Sequence, residues 1–147
     1  MRRTVLVALG TGTVIASAAA LGIGVALTPE KQAPSRVAYE AAFAGIDAAR
    51  PHALARCEAI AGNGKELCRA QAGAAETIRA ANLESRFRRT QDSARNAQRA
   101  RIEARYLVDR AACGVLGGFK RDRCLIAAHA TRGRALLEAA APYETRS

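Results

Sequence analysis

Cysteine is the residue type in this chain with the most chemistry in reach. Cys57, Cys68, Cys113 and Cys124 fall into two matched brackets, each enclosing ten residues. A thiol redox enzyme sets two cysteines of lowered pKa in a close C-x-x-C pair, and neither bracket has that spacing. A zinc site gathers thiolates at similarly short intervals. The brackets are too wide for it, and His52 and His129 lie away from the cysteines, reading as solvated positions on helix faces. Structural disulfides remain, and these belong to an oxidising compartment. No G-x-S-x-G, Walker loop, dinucleotide fingerprint, H-E-x-x-H or calcium loop occurs. The sequence therefore identifies no catalytic residue, no cofactor and no metal ligand set, and the chain reads as non-enzymatic.

The other chemical feature is a run of arginine. Arg86, Arg88, Arg89, Arg95, Arg99, Arg101 and Arg105 stand against only Asp92 and Glu103. On a helix running through them, Arg88, Arg95 and Arg99 share one face, and Arg101 and Arg105 share another. Such a band either is a solvated surface or binds an anionic envelope lipid, lipopolysaccharide or another polyanion. Composition tempers the second reading. The chain carries a net charge of +10, and without residues 1–29 it keeps 21 basic against 13 acidic residues, or +8. Arginine outnumbers lysine twenty to three in an alanine-crowded sequence, the pattern of a compositional drift. Nucleic acid is disfavoured by the lack of aromatic platforms. An amphipathic membrane-surface helix is disfavoured because the arginine run has no opposing large apolar face.

The elements that carry these residues begin after an export segment. Arg2 and Arg3 precede an apolar run with Ala16, Ser17 and Ala18 in an A-x-A arrangement, as in a secretory signal. The uncharged stretch 5–27 is also long enough to cross a bilayer, so 1–29 reads as a cleaved signal or as a retained transmembrane anchor. Either way the arginines ahead of it favour export of the remainder to the periplasm or cell envelope. Membrane association follows only if that segment is retained or the basic face binds lipid. Gly10 and Gly12 belong to this run and are not phosphate binders.

Residues 30–35 form a linker, 36–141 a helical repeat domain, and 142–147 a polar tail. A shift of 56 positions superposes Cys57 on Cys113 and Cys68 on Cys124, and also Ile46 on Ile102, Gly62 on Gly118, Lys65 on Arg121 and Glu66 on Asp122. This marks a duplication, with halves at about 41–85 and 97–141. Fifty-six is eight heptads, so both halves can share a coiled-coil-like helix in phase. The expected fold is all-α: two tandem antiparallel hairpins sharing one long central helix, each turn braced by a disulfide. Helix 36–61 contains Pro51, where a kink or break is expected. Gly62, Asn63 and Gly64 end it. A helix over 65–115 meets no proline, Gly117 and Gly118 turn the chain again, and helix 121–141 returns. Each bracket then spans a turn, pairing Cys57 with Cys68 and Cys113 with Cys124. An uncovered seam of alanine on the long helix favours a homo-oligomer.

The segment from Cys57 to Cys68, with Gly62, Asn63, Lys65 and Glu66 between them, resembles a family of small exported proteobacterial proteins. Those have alanine-rich helical bodies and a recurrent Cys, Gly-Asn-Ala-Lys-Asp, Cys segment; here Gly64 replaces the alanine. The resemblance implies an exported helical protein and no particular activity. The expected function is a structural or interaction protein of the envelope, with anion binding through Arg88, Arg95, Arg99, Arg101 and Arg105 as the alternative.

Overall fold

The computed structural model describes residues 33–141, which form four helices: α1 (Arg36–Glu58), α2 (Asn63–Arg88), α3 (Gln91–Cys113) and α4 (Gly118–Ala140). The all-α class and the two disulfide-braced turns stand as expected. The export segment 1–29, the first half of the linker (30–32) and the tail 142–147 lie outside the described residues. The transmembrane anchor has to be corrected: among the described residues no helix is long and apolar enough to cross a membrane. The stretch 5–27, on which that anchor was placed, lies outside them.

Helix α1 starts at Ser35, whose hydroxyl accepts from the Ala38 amide at 3.2 Å, satisfying one of the amides a helix start leaves bare. The helix runs through Pro51 without the expected break. Pro51 is exposed, so its ring sits against solvent while packing along α2 holds the turns on either side. The chain then reverses at Ala59–Gly62. The Ile60 amide donates to the Cys57 carbonyl at 3.1 Å, and Gly62 takes φ 59°, in the left-handed region that favours glycine. The second turn repeats this chemistry 56 positions on. The Leu116 amide donates to Cys113 at 3.1 Å, and Gly118 takes φ 48°. The two turns thus share a hydrogen bond and a glycine of positive φ.

The expected long central helix is divided in two. Arg89 adopts φ 52° and ψ 30°, and its amide closes α2 by donating to the Ser85 carbonyl at 3.0 Å. Thr90 then opens α3 with a reciprocal cap: the Ser93 amide donates to Thr90 Oγ1 at 3.1 Å, and the Thr90 amide donates to Ser93 Oγ at 3.2 Å. A left-handed arginine costs about 1–2 kcal/mol. Folding α3 back along α2 offsets that cost, since α2 and α3 form the most extensive helix pair of the domain.

Each helix packs only on its neighbours in the chain, and α1 and α4 do not touch. The buried side chains are correspondingly small: Ala74, Ala97, Ala104 and Ala128, with Leu83, Tyr106 and the two cysteines Cys57 and Cys113. Aromatic contacts pin the outer helices. Tyr39 on α1 stacks on Phe87 of α2 with ring centroids 4.4 Å apart, and its hydroxyl donates to Glu84 at 2.6 Å. On the other side Arg132 of α4 lies over the Tyr106 ring at 5.0 Å and makes two 2.7 Å hydrogen bonds to Glu103 of α3.

Candidate functional site

The cysteines pair as the brackets imply. Cys57 joins Cys68 and Cys113 joins Cys124, with Cα separations of 5.5 and 5.6 Å, inside the usual disulfide range. Because α2 and α3 are antiparallel, both bridged turns fall at the same end of the domain. Asn63 joins them, its side-chain amide donating to the Gly114 carbonyl at 2.7 Å. The asparagine of the bracketed motif therefore has a physical role, linking one hairpin turn to the other.

The histidines differ from each other. His52 is exposed, and its backbone carbonyl accepts from Arg56. His129, expected to be only solvated, also shares a hydrogen bond with the Tyr106 hydroxyl through Nε2 at 2.8 Å. The tie couples α4 to α3. Among the described residues no three His, Cys, Asp or Glu side chains gather as metal ligands.

The arginine band does not lie on one helix. Arg88 ends α2, while Arg95 and Arg99 lie on α3 beyond the reversal at Arg89, so the three do not share a helix face. Carboxylates of their own helices meet most of the band: Arg88 pairs with Glu84, Arg95 with Asp92 at 3.7 Å, and Arg105 with Asp109 at 3.0 Å. Arg101 donates to Asn82 of α2 at 3.0 Å, tying the two central helices. Arg99 lies near Glu103, where its charge adds to the fall of that carboxyl's pKa.

Three carboxylates that bridge helices are held below the usual range. Hydrogen bonds from Arg132 are the main cause at Glu103, from Arg69 and then Lys65 at Glu58, and from Tyr39 and then Arg88 at Glu84. The Tyr39 hydroxyl is raised by donating to Glu84. These contacts are ion pairs and a charge-assisted hydrogen bond that tie α1 to α2 and α3 to α4.

A different basic surface is assembled by the fold. Over the α2–α3 junction a trough of about 1200 Å³ opens, walled by Arg50 of α1 and by Arg121 and Leu125 of α4. Small residues Ala70, Gly73, Ala74 and Ala111 line it beside the polar Asn63 and Thr77; a Cβ at Gly73 would meet nothing within 4 Å. Leu107 and Leu116 also line it, 51% and 38% exposed. Four arginines reach it, and its two carboxylates are already taken: Glu76 by Arg50 at 3.1 Å and Glu66 by Arg69 at 3.0 Å. Arg110 has only the Tyr106 ring beneath it at 5.9 Å, and Arg121 has no carboxylate partner among the described residues. Sequence reasoning missed this set because Arg50, Arg69, Arg110 and Arg121 come from four helices and share no spacing. Comparison of the chain with protein-family models, with curated proteins and with solved structures finds no match.

Proposed function

We propose that this chain is an exported, non-enzymatic interaction protein of the bacterial envelope, a disulfide-braced helical layer that presents apolar surface to a protein partner, first of all a second copy of itself. The observation that carries this reading is the inversion of its apolar side chains. Leu83 and Tyr106 are the only large apolar side chains buried in the described domain apart from the half-cystines. Ile60, Val115, Leu116 and Phe119, on or beside the two bridged turns, are all exposed, Phe119 by 73%. Isolated exposed apolar residues are ordinary, but several at one end of the domain, where the two turns are joined, favour an interaction surface. The two bridges support the envelope location, since such disulfides persist where the compartment is oxidising.

The band of Arg88, Arg95, Arg99, Arg101 and Arg105 is the weaker alternative as an anion-binding surface, because the reversal sets Arg88 on a different helix from the rest and local carboxylates meet Arg88, Arg95 and Arg105. The test is sedimentation velocity on protein recovered from the envelope fraction of a bacterial host, with intact mass read before and after reduction. Expected are a protein that gains the four hydrogens of two reduced bridges and an association that Val115→Lys with Phe119→Lys abolishes. A reduced cytoplasmic product, or a monomer at every concentration, overturns the reading.

A further inference from the structure

We propose that the trough over the α2–α3 junction binds an anionic acyl lipid, its phosphate or carboxylate headgroup held by Arg110 and Arg121 and its chain laid along Leu107, Leu116 and Leu125. This goes beyond self-association and does not depend on it. The headgroup assignment follows from charge. Of the four trough arginines, Arg50 and Arg69 already serve Glu76 and Glu66, while Arg110 and Arg121 keep their guanidinium donors free of carboxylates among the described residues. A guanidinium presents a planar fork of donors that matches the oxygens of phosphate or carboxylate. The two come from the last turn of α3 and the start of α4, on either side of the second bridged turn, so the Cys113–Cys124 bridge holds their helices in register.

The chain assignment follows from the lining. Its leucines and alanines offer aliphatic surface, with no aromatic platform for stacking and no hydroxyl cluster for a sugar. At about 1200 Å³ the trough is also larger than the roughly 300–1000 Å³ of ordinary small-ligand pockets. It is partly open to solvent and its lining leucines are exposed, which suits a ligand with an apolar part better than a small inorganic anion. An acidic amphipathic helix is the competing occupant; it would need to find basic groups along both walls, but the Arg50 and Arg69 side is already occupied by Glu76 and Glu66.

The experiment uses the full oxidised chain and isothermal calorimetry with lysophosphatidylglycerol below its micellar concentration. Lysophosphatidylcholine of the same chain length and inorganic phosphate are the comparison ligands. Saturable binding of the anionic lipid is expected, weakened about tenfold or more by Arg110→Gln and by Arg121→Gln, the loss of one charge-assisted hydrogen bond. Arg95→Gln with Arg99→Gln, which leaves the trough intact, is expected to bind like the parent. Circular dichroism and intact mass confirm that each variant keeps its helices and bridges. Equal affinity for the two lysolipids, phosphate binding as tight as the lipid, equal loss in the Arg95 and Arg99 variant, or no saturable binding overturns the proposal. If no lipid arm saturates while a synthetic acidic amphipathic peptide does, with loss in the trough variants, the occupant is a helix and the lipid assignment fails.

Discussion

The bridges act through single side chains whose burial is unequal. Cys57 and Cys113, which end α1 and α3, are fully buried, whereas Cys68 and Cys124 remain partly accessible. Each bridge closes a short loop, and loop-closure entropy assigns it about 3 kcal/mol, a large share for a domain with so little buried apolar surface. Replacing Cys57 and Cys68 together by serine is therefore expected to lower the unfolding free energy by about 3 kcal/mol in urea titration, and the second pair to do the same. The helix-bridging carboxylates set the response to acid. Glu58, Glu84 and Glu103 have depressed pKa values in the folded chain, so the unfolded chain binds more protons as pH falls and stability is lost. The contribution is complete above the ordinary glutamate pKa of about 4.3 and disappears as pH drops through the lower folded values. Thermal unfolding midpoints are expected to be level near neutrality and to fall below that point. Glu103→Gln should make the acid limb shallower, and an unchanged limb would remove Glu103 from the account.

The helices explain where local rules sufficed and where packing overrode them. The two bracketed turns were legible because glycine is where a chain takes positive φ most cheaply, and Gly62 and Gly118 do so. The reversal at Arg89 was not legible, since neither glycine nor proline marks it. Its only local signal was Thr90 three residues before Ser93, a cap with serine where glutamate or glutamine is usual. Thr90→Ala is expected to destabilise the domain by about 1 kcal/mol through loss of that cap. Arg89→Gly is expected to be neutral or to stabilise by up to about 1 kcal/mol, because relief of the left-handed backbone outweighs the added freedom of the unfolded chain. Both are read from equilibrium denaturation, and a clear loss with Arg89→Gly would show that the arginine side chain itself holds the turn.

As a domain, 33–141 stacks four helices by neighbour contact alone, and its functional surfaces come from that arrangement. Antiparallel packing of α2 on α3 brings both bridged turns to one end, where Asn63 reaches Gly114. Asn63→Ala should cost about 1 kcal/mol, the usual worth of one hydrogen bond. It should also speed amide exchange in both turns, and exchange confined to the first turn would mean that the two are not coupled. The same packing broke the arginine band and built the trough. A continuous helix would have kept Arg88, Arg95 and Arg99 in register; the reversal put Arg88 on a different helix and brought Arg69 of α2 and Arg110 of α3 to the lining of one trough.

What the amino-acid order alone determined was whatever depends on neighbours a few positions apart: helical character, glycine-marked turns, and cysteines spaced to close across each turn. The tertiary structure decided the rest. Whether 65–115 ran straight or doubled back depended on weighing the strain at Arg89 against the alanine surface that α2 and α3 bury together. That balance involves residues far apart in the chain, so no local pattern records it, and the trough and the apolar end exist only because it favours the fold-back.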